Sequence, residues 1–97
     1  MLFKNFLDNI YKLKIDKKAF EFLETLPTSD IRLFYNKLEI VLRNPYAQIP
    51  FAKKLKNSSY YRFRFRQYRC VYNIIDDIIT VEVIKIDNRK EIYRRLK

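Results

Sequence analysis

At 97 residues, 48% hydrophobic and 16% aromatic, the chain makes one small domain spanning 1–97, with room for one core. Its 21 Lys+Arg against 11 Asp+Glu give a net charge of +10 and imply an anionic partner: nucleic acid, a membrane surface or an acidic protein. The absence of His excludes His-based acid–base chemistry and nearly all zinc chemistry, the absence of Gly excludes a glycine-rich phosphate loop, and a single Cys permits no internal disulfide.

No apolar run approaches the length of a membrane span. Residues 1–10 carry Lys4, Asn5, Asp8 and Asn9 among their apolar positions, so they do not form the apolar core of a signal peptide. Leu2, Phe3, Phe6, Leu7 and Ile10 have helical spacing, but the structure of this segment stays open. Residues 11–15 alternate Tyr11, Leu13 and Ile15 with Lys12 and Lys14, the pattern of a strand. Asp16 is placed to cap a helix over 17–26, with Ala19, Phe22, Leu23 and Leu26 on one face and Pro27 ending it. Thr28 or Ser29 caps a second helix with the stripe Ile31, Phe34, Tyr35, Leu38, Val41 and Leu42, closed by Asn44-Pro45. The short connection predicts an antiparallel helical hairpin.

Residues 45–59 read as a loop, with Phe51 and Leu55 as its anchors. Three strands follow, over 60–66, 68–75 and 78–86, with turns at Gln67 and at Asp76-Asp77. The last is apolar on both faces in places, as a central strand would be. Asn88 followed by Glu91 resembles a capping box that opens a short final helix over 89–97. Strand, two helices, meander and terminal helix make an α+β domain. The helical hairpin packs on one face of a mostly antiparallel, twisted sheet.

The stretch YYRFRFRQYRCVY organises the chain's chemistry. Tyr61, Phe63 and Phe65 point to one face of the strand. Arg62, Arg64 and Arg66 point to the other, about 7 Å apart along it. Arg69 joins them from the next strand if the register allows. Stacked like charges repel, so such a row is best explained by an anion on it. The charge is also lopsided: residues 52–97 hold thirteen Lys/Arg against five Asp/Glu, whereas residues 1–51 hold eight against six. Charge on strands rather than on an amphipathic helix favours nucleic acid over membrane. Arg suits phosphate because its planar fork donates two parallel hydrogen bonds and stays protonated.

Arg89 falls in the first turn of the predicted final helix, where the dipole disfavours a cation unless a phosphate is bound. Tyr93, four residues on, shares its face. Neighbouring positive charge favours the phenolate, so Tyr93 could take a proton from an RNA 2′-hydroxyl while the arginines stabilise the phosphorane. Taken alone, Tyr93 reads equally as an aromatic packed on the sheet. Lys53, Lys54 and Lys56 taken alone read as a solvated loop. Beside the arginine row, Lys54 and Lys56 join Arg62, Arg64 and Arg66 as candidate RNA-binding residues. Cys70, in a predicted strand, reads as a small buried hydrophobe.

The pattern K-L-K-x-x-x-x-Y-R-F-R-F-x-x-Y-R-C-V-Y, then I-D-D-I-I-T-V-E-V-I-K-I, then N-R-K-E-I-Y, resembles the RelE/ParE toxin superfamily of bacterial and archaeal toxin–antitoxin pairs. Leu23-x-x-Leu26-Pro27 ending the first helix fits as well, and the resemblance covers about residues 11–96. The single Cys fits a reducing cytoplasm, and the resemblance implies a RelE-like α+β fold and an antitoxin, acidic or partly disordered when free, that wraps the basic surface. For the RelE branch it implies ribosome-dependent, metal-independent cleavage of mRNA with no cofactor. It places Arg69, Arg89 and Tyr93 as catalytic residues: Tyr93 as base, Arg69 on transition-state charge, Arg89 as acid or charge stabiliser. The alternatives are a ParE-like inhibitor of DNA gyrase and an inactive RNA-binding relative. This chain departs from many members in having Asn88 where they have His, and Gln67 and Asn57 where they have Gly. It has Asp87 where some RelE enzymes have their catalytic Arg, so the identity of the general acid stays open.

Overall fold

The computed structural model describes residues 10–47 and 49–88. Strand β1 (Lys12–Ile15) leads into helices α1 (Lys17–Glu24) and α2 (Thr28–Arg43). Strands β2 (Ala52–Lys54), β3 (Tyr61–Phe65), β4 (Tyr68–Ile75) and β5 (Thr80–Asn88) complete the domain. The helical spacing over 2–10 and the predicted final helix over 89–97, apart from Ile10, lie outside the described residues.

Asp16 caps α1 as its position predicts, its carboxylate accepting the Lys18 N–H at 3.0 Å. The cap of α2 is neither Thr28 nor Ser29. Pro27 occupies the position, with φ −58° already set for helix entry, and its carbonyl accepts from Asp30 at 2.9 Å and Ile31 at 3.1 Å.

The sheet runs β1-β5-β4-β3-β2, with β1 parallel to β5 and the remaining pairs antiparallel. β5 therefore lies between two strands, in keeping with its apolar sequence. It begins two residues later than its hydrophobicity suggests. The turn before it uses a 3₁₀ segment, Asp76–Ile78, and then Ile79 in the left-handed conformation. A bulge between Val71 and Tyr72 shifts the register, so Tyr72 faces Val83 while Val71 faces Lys85. β2, inside the expected loop, is a three-residue edge strand paired with β3. Asn88 is the last residue of β5.

Both helices cover the aromatic face. Phe63 and Phe65 are fully buried, and the Phe34 ring of α2 lies 5.6 and 5.2 Å from theirs. Ala19 and Leu23 of α1 and Leu38 and Val41 of α2 complete the contact. Burying one such side chain contributes roughly 1.5–3 kcal/mol, so this layer dominates stability. Tyr35, expected in the stripe, is 40% exposed and only flanks Phe34 edge-on. Cys70 is buried, and burial followed by the Asp87 charge holds its thiol well above the ordinary range, which leaves it inert.

Without glycine, three residues among those described take positive φ: Asn57 at 57°, Arg66 at 56° and Ile79 at 48°. Only Asn57 is of a type suited to it. Ile79 is β-branched and 47% exposed, so little packing offsets its strain. Ile79→Asn is expected to raise stability by about 1 kcal/mol, read from urea unfolding; an unchanged or lower midpoint would mean that the conformation is unstrained.

The same turn is tied down by Asp76, whose Oδ1 accepts from the Tyr11 hydroxyl at 2.8 Å and whose Oδ2 accepts from the Tyr46 hydroxyl. These bonds, Tyr46 first and Tyr11 second, hold the Asp76 carboxyl below its ordinary pKa of 3.8. In return, the hydrogen bond to Asp76 pushes Tyr46 up to about 12. A depressed carboxylate stabilises the fold above its unfolded pKa, and the contribution disappears as pH falls through the folded value. A raised phenol stabilises below its unfolded pKa, and that contribution disappears as pH rises through about 12. The difference in thermal midpoint between wild type and Asp76→Asn should be constant from about pH 5 to 9 and shrink beyond both limits. A pH-independent difference would exclude the ionised contact.

Candidate nucleic-acid interface

The alternation of β3 turns Arg62 and Arg64 away from the aromatic core. Pairing then builds two rows on that face. In one, Lys53 of β2 lies opposite Arg62, which lies opposite Val71, which lies opposite Lys85. In the other, Arg64 lies directly opposite Arg69, and Arg69 directly opposite Asp87. Neighbours within a row are about 5 Å apart, the spacing between paired strands. Thus the register anticipated from sequence holds: guanidiniums from β3 and β4 share one patch.

Lys53 and Lys85 are exposed, and Arg62, Arg64 and Arg69 are half-buried. Among the described residues neither Arg64 nor Arg69 is ion-paired, and the Arg69 Nε is buried without a hydrogen bond. Like charges directly opposite on a sheet are destabilising. Their persistence, half out of water, is what a phosphate site requires. Lys37 of α2 supports the row from the helical layer. Its Nζ donates to the Arg64 carbonyl at 2.7 Å and sits 4.8 Å from the centre of the Phe51 ring, while the Arg64 N–H donates to the Phe51 carbonyl at 2.8 Å. Burial, then the charges of Arg64 and Arg66, lower the Lys37 pKa.

Three expected RNA-binding residues are not part of either row. Arg66 stands in the hairpin turn after β3, and its Nε donates to Asp30 Oδ1 of α2 at 2.8 Å. The strand stops one residue short of it, and the two-residue turn redirects its side chain to the helix. Lys54 lies opposite Tyr61, so the pleat places it on the other side of β2 from Lys53. Lys56 belongs to the exposed turn after β2. Arg89 and Tyr93 lie outside the described residues. Conversely, sequence reasoning left out Lys37, Lys53, Lys85 and Asp87. Lys85 and Asp87 alternate with the inward Ile86: Lys85 lies inside the strand expected over 78–86, and Asp87 is the next residue after it. Only the pairing partner distinguishes Lys53 from Lys54.

The chain matches the family model described as the ParE toxin of the type II toxin–antitoxin system parDE, over residues 3–93. It belongs to the RelE/ParE family of type II toxins. The RelE1 protein of Methanocaldococcus jannaschii is 29% identical over 86 residues, covering 87% of this chain and 96% of that one. Among solved structures, the archaeal RelE–RelB complex from Pyrococcus horikoshii is similar at a TM-score of 0.72 and 26% identity, over 82% of this chain and 96% of that one. The intact E. coli RelBE toxin–antitoxin complex gives 0.71 and 28%, over 80% and 95%. The α+β fold of a RelE toxin, expected from the sequence, is the fold of this RelE/ParE chain. No helix among the described residues of the toxin is long and apolar enough to cross a membrane.

The division between Arg66 and Arg69 is open to direct measurement. Arg66→Ala should cost about 1 kcal/mol in urea unfolding through loss of the Asp30 pair and leave affinity for a single-stranded RNA oligonucleotide nearly unchanged. Arg69→Ala should weaken RNA binding and lower the slope of log affinity against log salt by about 0.7, one phosphate contact on a single strand. Equal losses of affinity in the two variants would return Arg66 to the interface.

Proposed function

We propose that this toxin is a ribosome-dependent mRNA endoribonuclease that acts in the cytoplasm and is held in check by a cognate antitoxin on its basic face. The observation that carries the reading is the direct opposition of Arg64 and Arg69 beside Arg62, on the face opposite the aromatic one on which both helices pack. Three guanidiniums within one strand spacing and one pleat of each other suit a phosphodiester rather than a globular protein surface. Similarity to RelE proteins and to complexes of RelE with RelB supports the RelE branch and a protein antitoxin.

In the proposed reaction Arg62 and Arg64 hold substrate phosphate. Tyr93 removes the proton from the ribose 2′-hydroxyl, whose oxygen attacks the adjacent phosphorus. Arg69 stabilises the charge that builds on the non-bridging oxygens, and a proton passes to the departing 5′-oxygen, with Arg89 as the candidate donor. The products are a 2′,3′-cyclic phosphate and a 5′-hydroxyl. β5 ends at Asn88, beside the row of Arg64 and Arg69, and Arg89 follows it directly in the chain.

The family model's description favours a second reading, a ParE-like toxin that blocks DNA gyrase without hydrolysis of its own. Mapping of cleavage in ribosome-bound mRNA separates the two. Wild type should cut, and Tyr93→Phe and Arg69→Ala should each slow cleavage by about a hundredfold or more, as loss of one preorganised transition-state contact does. Intact mRNA together with blocked supercoiling would overturn the nuclease in favour of the gyrase inhibitor.

A further inference from the structure

The basic face is built almost entirely of donors. Lys53, Arg62, Arg64, Arg69 and Lys85 can only give hydrogen bonds, and a phosphate can only accept them. Asp87 is the exception. Register places it directly opposite Arg69, at the end of the row that begins with Arg64. It is 7% exposed, and neither of its carboxylate oxygens makes a hydrogen bond. Lys85 Nζ lies 3.4 Å from Oδ2, an ion contact along the same strand without hydrogen-bond geometry. Nor does Arg69 use the carboxylate: no ion pair joins the two, and Arg69 Nε is itself buried without a hydrogen bond. A buried carboxylate in this condition costs stability. Among the described residues the titratable and charged groups around it are Lys85 on its own strand, Arg69 across from it, and the Cys70 thiol, which it pushes up.

We infer that in the bound complex Asp87 accepts a hydrogen bond from the ribose 2′-hydroxyl next to the phosphate held by Arg64 and Arg69, a bond given up when that proton passes to Tyr93, and that it thereby selects RNA over DNA. The inference rests on the RNA-binding reading above and adds a specificity residue to it. A nucleotide bound by its phosphate on this row can satisfy Asp87 only with a donor of its own. Among nucleotide donors the 2′-hydroxyl is the one bonded nearest the phosphate, whereas base amino groups lie beyond the sugar. The 2′-hydroxyl is also the group by which proteins tell RNA from DNA. Asp87 is one strand spacing from Arg69, the offset needed to meet the sugar when the arginine meets the phosphate.

The test measures affinity of the full chain for a single-stranded RNA and for the DNA of the same sequence, by fluorescence anisotropy at fixed salt. The proteins are wild type, Asp87→Leu, Asp87→Asn and Arg69→Ala. Wild type should prefer RNA. Asp87→Leu should lose about tenfold of that preference, the worth of one hydrogen bond to a charged acceptor. It should also bind DNA more tightly, because a negative charge has left the face, and it should melt higher. Asp87→Asn, which keeps an acceptor oxygen, should retain part of the preference. Arg69→Ala should weaken RNA and DNA alike. If Asp87→Leu keeps the full preference, or if wild type binds RNA and DNA equally, Asp87 does not read the sugar, while the phosphate site stands. A lower melting point for Asp87→Leu would make Asp87 structural and overturn the inference. If wild type binds neither nucleic acid, the RNA-binding reading itself fails and this one with it.

Discussion

The seating of Phe63 and Phe65 beneath Phe34 constrains everything else in the domain. Both rings are fully out of water, and a slip of β3 by one residue would exchange them for Arg62 and Arg64. Burying two guanidiniums in the aromatic core would cost far more than any realignment could recover. The core therefore fixes the face on which the arginines stand, and through the β3–β4 register it sets Arg64 against Arg69. The basic surface and the core are two sides of one alternation. The chain's stability comes from one side and its proposed chemistry from the other.

The absence of glycine leaves visible marks. Two of the three left-handed positions are filled by residues poorly suited to them, and each is fastened by a side-chain contact within its turn or beside it. Arg66 is bound to Asp30 of α2, and the turn that ends at Ile79 is bound by Tyr11 and Tyr46 through Asp76. An arginine that looks by sequence like the third member of a phosphate-binding row is thus a clasp between sheet and helix. The position of Asp30 in the first turn of α2 explains the choice of partner, since a carboxylate is favoured at a helix N-terminus and a cation neutralises what burial leaves uncompensated.

The basic face itself is a balance between repulsion and use. Among the described residues Arg64 and Arg69 face each other without a counter-ion, and Asp87, opposite Arg69, is buried with its hydrogen-bonding capacity unspent. A surface selected only for stability would pair these groups or replace them. On the proposed reading the same arrangement serves an anionic occupant, whether substrate or antitoxin, each of which would supply negative charge to the face.

The sequence by itself determined the α+β class, the order of the described elements apart from β2, the Asp16 cap, the inward set of Phe34, Tyr61, Phe63 and Phe65, and the outward direction of Arg62 and Arg64. All of these follow from local periodicity and capping chemistry, which act within a few residues. Tertiary structure alone decided which residues share a patch. Lys53 rather than Lys54 aligns with Arg62 because β2 pairs with β3 in one register, a fact that three residues of edge strand cannot announce. Arg66 leaves the row because the strand ends before it and Asp30 lies within reach. Asp87 enters the row because a left-handed Ile79 delays the start of β5 and a bulge at Val71 resets its pairing, so that the last residues of that strand come level with Arg69. Periodicity gives a side chain its face, whereas its neighbours on that face are set by hydrogen bonds between segments far apart in the chain.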